Sequence, residues 1–253
     1  MIVYVLGSTG SIQGREASNT SLAVTSAGRT LLIDVSGSPI QALKRSNIDP
    51  LSVDVLLLTH AHIDHLYALP SLIHQMWLMG RTADLTIVAN KETIEVAQSL
   101  CALFSLAEKR GIFAVNWQVA EEGRAAVTVG KMAITLFSVP HGIPTLGCTL
   151  EEGDEKVVYL ADCKSSGSYP PCAWKADLLI HEAGGVAEEE ERLMKSGHSS
   201  ARQAAEAALL LEAQRLVLVH LPCDEGEQGR LLSEASALFG ATELPRLFEP
   251  YQR

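Results

Sequence analysis

The segment THAHIDH at residues 59–65 constrains this chain more than any other feature, because three histidines and an aspartate fall within it. It follows the apolar run 53–58, whose only polar residue is Asp54, and such a run is typical of a buried strand. Chemistry in α/β sheets is usually located where core strands end. Neutral imidazole and carboxylate oxygen together suit zinc, manganese or iron, so the segment predicts a metal site.

Three later apolar runs also end in a histidine or an aspartate. Residues 136–140 lead into His141, residues 157–161 into Asp162, and residues 216–219 into His220. One histidine after a strand is usually structural, but the repetition at four strand ends indicates a shared site. With these three, the donors number seven, the others being His60, His62, Asp64 and His65. A catalytic zinc takes about three protein ligands, so seven donors indicate two ions.

The order H-x-H-x-D-H, then His, Asp and His, resembles the metallo-β-lactamase superfamily over nearly the whole chain. Asp34, after the apolar residues 31–33, matches that superfamily's aspartate that orients the metal loop. The resemblance implies a four-layer α/β architecture, an αββα sandwich of two β-sheets flanked by helices, as a single domain over residues 1–253. It also implies two divalent ions, zinc first, with manganese or iron as alternatives.

The resemblance also divides the donors into two sets and a bridge: His60, His62 and His141; Asp64, His65 and His220; and Asp162 between them. Two such ions can share a hydroxide that attacks the substrate, and Asp64 is expected to orient it. Two departures from the motifs of other branches of the superfamily exclude those branches. His62 stands where the oxygen-reducing diiron branch has Glu, and Asp162 where true β-lactamases have Cys. A glyoxalase II is not expected, because its additional helical domain has no counterpart after His220.

Two further motifs, H-E-A at residues 181–183 and G-H-S-S at 197–200, resemble the H-E-A-T and H-S-T motifs of the ribonuclease Z branch. The resemblance implies that Glu182 orients and charges His198, which assists departure of the leaving oxygen. His181 is expected to orient Glu182 or to bond the backbone. In the alternative interpretation, Ser199 or Ser200 caps a helix and His198 is an exposed loop residue.

The Gly-rich residues 6–11 fit the same branch loosely, since ribonuclease Z proteins have a Gly-rich loop at this place. No Gly-Lys-Ser/Thr follows, so the loop is not a nucleotide P-loop. Arg15, after this loop, and Ser199 are the candidate substrate-binding residues. The residues expected to carry the chemistry are thus predicted at strand ends and in two loops.

The long arm with which ribonuclease Z grips tRNA has no counterpart, because His141 and Asp162 enclose only a turn and two short predicted strands. The chain has 20 Lys+Arg against 30 Asp+Glu, a formal charge of −10, whereas nucleic-acid binders neutralise several phosphates. A local basic patch stays open, formed by Lys44, Arg45, Arg110 and Arg124. We therefore expect a phosphodiesterase for small, cyclic or unstructured phosphodiesters, with RNA possible. The alternatives are a tRNA 3′-processing endoribonuclease, a lactone or thioester hydrolase on the same metals, and a non-enzymatic metal-binding protein.

The five cysteines show no CxxC spacing, and their odd number argues against a disulfide framework, so a cytoplasmic location is expected. No signal peptide or membrane-spanning run is recognised, so no membrane partner is expected. The family resemblance implies a homodimer. Periodicity predicts helices near 38–46, 64–79, 91–108, 199–213 and 226–239. Strands are predicted near 2–6, 21–25, 30–34, 53–58, 84–88, 114–118, 125–128, 132–139, 146–151, 156–161, 177–181 and 215–219.

Overall fold

A computed structural model of the protein describes residues 1–121 and 125–252. Arg124, one residue of the hypothetical basic patch, lies outside the described residues. Within the described part, no helix is both long and apolar enough to cross a lipid bilayer.

The first sheet contains seven strands, and the last four in its order run parallel to one another. They are β1 (Ile2–Gly7), β2 (Ser21–Ser26), β3 (Arg29–Ile33), β4 (Val53–Leu57), β5 (Leu85–Ala89) and β6 (Val115–Val119), with β14 (Pro250–Tyr251) beside β1. Strands β3, β4 and β5 are almost entirely apolar because they are covered on both faces. Since β3 and β4 are parallel, Asp34 and the segment 59–65 emerge at the same edge of the sheet.

The second sheet also contains seven strands, in the order β13 to β7. They are β7 (Ala125–Val129), β8 (Met132–Val139), β9 (Thr145–Glu152), β10 (Glu155–Tyr159), β11 (Leu178–Glu182), β12 (Leu216–Val219) and β13 (Thr242–Glu243). Strands β10, β11 and β12 are parallel, so their carboxyl ends lie at one edge. That edge carries Asp162, Glu182 and His220.

The two sheets pack face to face through one apolar core, to which both contribute, for example Leu31 and Val55 from the first sheet and Ile134, Tyr159 and Val217 from the second. Helices cover the outer faces through two further apolar clusters. They are α1 (Pro39–Arg45), α2 (Ile63–Leu66), α3 (Leu69–Leu78) and α4 (Lys91–Ala102) on the first sheet, and α5 (Glu190–Ser196), α6 (Ala201–Leu210) and α7 (Glu225–Leu238) around the second. The predicted αββα sandwich is confirmed.

The twelve predicted strands are present with small differences at their ends, but two predicted helices are wrong in extent. The helix predicted over 64–79 is two helices, because the Ala68 N–H donates to the Val35 carbonyl and Pro70 lies in the first turn of α3. The helix predicted over 91–108 ends at Ala102, and Ser105 then adopts a left-handed conformation with φ of 46°. Helix α5 and strands β13 and β14 were not predicted, since each is too short to show a clear period.

Candidate metal centre

The seven donors predicted from the sequence are brought together where the two sheet edges meet. One group comprises His60, His62, His141 and Asp162, and a second comprises Asp64, His65 and His220; within each group the donor atoms lie within 4.8 Å of one another. Five of the seven residues are buried, and His62 and His141 are half-buried. The donors therefore converge from α2 and from four strand ends into one small volume.

In the first group, Nδ1 of His62 lies 3.0 Å from Nε2 of His60 and 3.1 Å from Nε2 of His141. Oδ2 of Asp162 lies 3.7 Å from Nε2 of His60. Three imidazoles thus present one nitrogen each to a common point, beside a carboxylate oxygen. This is a donor arrangement that zinc commonly accepts.

In the second group, Asp162 again lies at the centre. Its Oδ2 is 3.3 Å from Nε2 of His65 and 3.2 Å from Nε2 of His220, and the same His220 nitrogen is 3.7 Å from Oδ2 of Asp64. The Asp162 carboxylate therefore contacts both groups, in the position that a bridging ligand needs.

Hydrogen bonds to the opposite ring nitrogens hold these imidazoles in place. Asp34 accepts hydrogen bonds from Nδ1–H of His65 at 2.7 Å and from the Thr59 backbone N–H at 2.8 Å. The Thr59 hydroxyl donates to Asp34 at 2.8 Å, so it accepts from Nδ1–H of His60 at 3.0 Å. Nδ1–H of His141 donates to the Gly197 carbonyl at 2.8 Å. In His60, His65 and His141 these bonds engage Nδ1 and direct Nε2 towards the donor groups, where it can bind a metal.

The unpartnered atoms of the centre fit a divalent cation. Nε2 of His65, Oδ1 of Asp162 and both ring nitrogens of His220 are buried without a hydrogen-bond partner. Burial of unpaired polar atoms is costly, so native sites usually satisfy them with a proton, a water or an ion. Cations at the two donor groups would satisfy the Nε2 and carboxylate atoms.

The pKa shifts of the histidines also favour a bound cation. Burial lowers the pKa of His60 to about 2 and also lowers the pKa of His62 and of His141, so these three imidazoles are neutral. Burial also lowers the pKa of His65, but the carboxylates of Asp162 and Asp34 outweigh it and raise that pKa well above its ordinary value. A centre that stabilises positive charge on a buried imidazole also favours a metal cation at that place.

Glu182 and His198 form a pair beside this centre. Both carboxylate oxygens of Glu182 approach Nδ1 of His198, at 3.1 and 3.2 Å, and the backbone N–H of Cys163 donates to Oε1 at 2.5 Å. Burial, and then the nearby Asp162 carboxylate, raise the pKa of Glu182 well above its ordinary value. His198 is one-fifth exposed, and its ring stacks on that of His220 with centroids 5.1 Å apart. The pair therefore places an imidazole at the edge of the donor groups.

His181 is fully buried behind this pair, and its Nδ1–H donates to the Glu182 carbonyl at 2.8 Å. Burial lowers the pKa of His181 to about 4, so its ring is neutral. Cys163 is also buried, and burial raises the pKa of its thiol well above the ordinary value, so it is no thiolate ligand. Both residues support the position of Glu182 without joining the donor groups.

The N-terminal loop reaches the centre through a residue that the sequence reasoning missed. The Ser11 hydroxyl donates to Oδ2 of Asp64 at 2.9 Å, and Gly10 lies so close to His220 that an added Cβ would be 3.0 Å from its ring. The buried Asn19 holds this loop, because its side-chain N–H donates to the Gly10 carbonyl at 2.6 Å. Only the Gly-rich composition of the loop gave a hint of this close approach.

The two candidate substrate-binding residues are not brought to the donor groups. Ser199 is fully buried, and its hydroxyl donates to the Cys163 carbonyl at 2.7 Å. Ser200 is the N-cap of α6, and its Oγ accepts from the Gln203 N–H, so the capping alternative is right for this residue. The Arg15 side chain is 94% exposed and pairs with Glu16. Of the hypothetical basic patch, Arg45 lies over the Phe248 ring, 3.7 Å from its centroid.

A cavity of about 380 Å³ opens beside the centre, with His198 and His220 in its wall. Further lining residues come from the N-terminal loop, from α5 and from the segment after β12, and they include Ser11, Ile12, Arg192, Leu193, Leu221, Pro222 and Glu227. This volume falls in the range of small-molecule sites. His198 and the donor His220 are therefore accessible to a small ligand.

Comparisons with known proteins agree with this fold. A family model described as a beta-lactamase superfamily domain matches residues 29–221. Ribonuclease Z of Methanothermobacter thermautotrophicus is 26% identical over 295 aligned positions, which cover 96% of this chain and 94% of that protein.

Two solved structures share the fold. The metallo-beta-lactamase fold protein YhfI from Bacillus subtilis superposes with a TM-score of 0.84 at 22% identity, covering 99% of this chain and 98% of that one. The short form of human tRNase Z has a TM-score of 0.80 at 20% identity, covering 100% and 99%.

Proposed function

Since this chain belongs to the beta-lactamase superfamily, we propose that it is a metal-dependent phosphodiesterase of the ribonuclease Z type that hydrolyses small or unstructured phosphodiesters. One observation carries this proposal: His198, held by the buried Glu182 in a hydrogen-bonded pair, lies at the edge of the donor groups and lines the cavity beside them. Lactone and thioester hydrolysis need the metals but give no role to such a pair.

We propose that one ion is held by His60, His62 and His141, a second by Asp64, His65 and His220, and that Asp162 bridges them. Zinc suits these donors best, and manganese or iron are the alternatives. When bound, two such ions would supply a nucleophile at neutral pH and neutralise charge on the phosphodiester. The unpartnered buried atoms of His65, Asp162 and His220 support this assignment.

The protein's own groups perform the remaining steps. Asp64, held by the Ser11 hydroxyl, accepts a hydrogen bond from the attacking water and orients it towards phosphorus. Glu182 fixes Nδ1 of His198, so Nε2 on the opposite side of the ring donates a proton to the leaving oxygen. The fixed pair lets this proton transfer occur without reorganising the site.

Charge and chain length favour small substrates over structured tRNA. The formal charge is −10, and only a turn joins β9 to β10 between His141 and Asp162. The alignment with the Methanothermobacter ribonuclease Z spans 295 positions although this chain has 253 residues, so that relative contains segments that are absent here. Fewer contacts to phosphates are therefore available to this chain.

Three further expectations belong to this proposal: the whole chain forms a single domain, it assembles as a homodimer, and it acts in the cytoplasm. Sedimentation measurements at several protein concentrations test the dimer. A monomer at all concentrations would contradict it.

The central experiment measures hydrolysis of bis-p-nitrophenyl phosphate by protein loaded with zinc or manganese. A diester with an unactivated alcohol as leaving group is compared with it, and on that diester His198→Ala is expected to lower kcat by about 10²-fold or more, because general-acid assistance is lost. The loss on bis-p-nitrophenyl phosphate should be smaller, because p-nitrophenolate departs without a proton. The control is His74→Ala, since His74 lies in α3 against Trp77 and outside both donor groups. A His198→Ala variant as fast as wild type on the unactivated diester would contradict the assigned role. Rapid lactone cleavage without phosphodiester cleavage would contradict the proposed function.

A further inference from the structure

The cavity beside the centre lies on the side of His198. Its wall contains His198 and the donor His220, together with Ser11, whose hydroxyl donates to the donor Asp64. If His198 protonates the leaving oxygen, the group attached to that oxygen must occupy the space next to this imidazole. The cavity is the space available there, and its volume of about 380 Å³ suits a small organic group.

We infer that this cavity is the leaving-group pocket, and that it takes an uncharged alcohol with an apolar face. This inference rests on the proposed function, because the role of His198 defines which side of the substrate enters the pocket. It goes further by naming the chemical class of the departing group.

The apolar character of the pocket comes from Ile12, Leu193, Leu221 and Pro222. Leu193 and Leu221 are almost fully buried and form fixed walls, whereas Ile12 is 73% exposed. An isoleucine exposed at the opening of a pocket gains stability by covering an apolar ligand. These walls therefore favour an aromatic ring or another apolar surface.

The charges of the pocket favour a neutral group. Arg192 and Glu227 are its charged lining residues within the described part of the chain. The guanidinium of Arg192 already donates to Glu189 at 2.7 Å, so its charge is compensated before any ligand enters. The Glu227 carboxylate then repels an anion. A leaving group that carries its own phosphate or sulfonate is consequently disfavoured, as is a polynucleotide that continues through the pocket.

The first test compares two aryl methyl phosphates whose phenols have the same acidity, one phenol neutral and the other bearing a sulfonate. Equal acidity makes the intrinsic reactivity of the two esters equal, so the comparison reports the pocket. We expect kcat/KM to be about 10-fold or more higher for the neutral ester. Glu227→Gln should reduce this preference by raising the rate on the sulfonated ester.

The second test changes the apolar wall. Ile12→Ser should lower kcat/KM for the neutral aryl ester about 5-fold, since part of the buried apolar contact is lost. Its control is Leu103→Ser, because Leu103 is 80% exposed and lies outside the pocket lining. Both substituted side chains are exposed, so neither variant is expected to unfold.

The outcomes separate this inference from the proposed function. If neither ester nor bis-p-nitrophenyl phosphate is hydrolysed by the zinc- or manganese-loaded protein, the proposed function is wrong. If the esters are hydrolysed but the sulfonated one equally fast, and Ile12→Ser matches Leu103→Ser, only the leaving-group pocket is refuted. A preference in kcat/KM for the neutral ester that decreases in Ile12→Ser and in Glu227→Gln supports the assignment of this cavity as the leaving-group pocket.

Discussion

Gly197 connects a proposed metal ligand to the proposed general acid. Its carbonyl accepts a hydrogen bond from Nδ1–H of His141, and His198 follows it directly in the chain. Its φ is 90°, and an added Cβ would lie 2.8 Å from both the Gly142 backbone nitrogen and Nδ1 of His141. Only glycine satisfies both the backbone conformation and the close approach.

We therefore expect Gly197→Ala to weaken metal binding as well as stability, because the methyl group displaces His141. Gly153→Ala is the matched control: Gly153 has φ of 61°, but nothing lies within 4 Å of its added Cβ. The control should lose about 1 kcal/mol of unfolding free energy and keep its zinc affinity. Urea denaturation and zinc competition with a chelator measure the two quantities. Equal zinc affinities in both variants would contradict this account of Gly197.

Backbone strain recurs at the strand ends of the centre. Asp34, Ala161 and His220 all have positive φ, of 57°, 53° and 52°, although none is glycine. Each follows a strand by one to two residues, and a left-handed residue there turns the chain sharply out of the sheet. Such conformations cost about 1–3 kcal/mol each and persist where the surrounding structure fixes them. Here the turns aim Asp34, Asp162 and His220 into one volume.

At the scale of elements, hydrogen bonds from α5 and α7 hold the neighbourhood of the loop that carries His198. Glu190 in α5 accepts from the Ser200 hydroxyl at 2.6 Å and from Nε–H of Arg202 at 2.9 Å. Glu234 in α7 accepts from the backbone N–H groups of Ala187 at 3.1 Å and Arg202 at 3.0 Å. Three helices thus hold a loop of only a few residues, which keeps His198 beside Glu182.

Removal of the Glu234 carboxylate should weaken the contacts that α7 makes with the backbone at Ala187 and Arg202. Glu234→Ala is expected to lower the unfolding free energy by about 1–2 kcal/mol, because two backbone N–H groups near helix starts lose their acceptor. Glu212→Ala serves as the comparison, since Glu212 only approaches the exposed Lys175 at 3.9 Å. Urea denaturation of the two variants measures the loss of unfolding free energy in each. A loss in Glu234→Ala no greater than in Glu212→Ala would show that this junction contributes nothing.

At the scale of the whole molecule, one core joins two sheets while the surface carries excess negative charge. The core contains residues from both sheets, so the relative position of the two donor-bearing edges is fixed by packing. The formal charge of −10 gives a surface that repels polyanions over distances set by the ionic strength. The packing thus holds the two edges rigidly, and the excess negative charge supports the proposal that long nucleic acids are poor ligands.

Because of this negative charge, we expect folded tRNA to compete poorly with a small substrate. Excess folded tRNA should leave the hydrolysis of bis-p-nitrophenyl phosphate unchanged, even at low salt, because few phosphates can be neutralised. The measurement is the rate with and without tRNA over a range of salt concentrations, with magnesium and zinc held constant. Strong inhibition that disappears at high salt would instead promote tRNA processing as the function.

The sequence was informative wherever a strand ended in a polar residue. Apolar runs and their terminal residues predicted the twelve strands of the sandwich, and parallel neighbours bring such ends to one edge. The Glu182–His198 contact also follows the predicted motif pair, with a distance of 3.1 Å. The break between α2 and α3 was not predicted, because it depends on a hydrogen bond from Ala68 to Val35 across the chain.

The sequence by itself pointed to the seven proposed donors, through polar residues at the ends of apolar runs, and to the layered fold, through its resemblance to the superfamily. Only the tertiary structure decided that Ser11 reaches Asp64, that Ser199 turns inward, and that Ile12 borders a cavity. These three residues lie in loops, whose paths depend on contacts with residues far away in the chain. Local periodicity carries no information about such distant contacts, because they form only when the two sheets pack together.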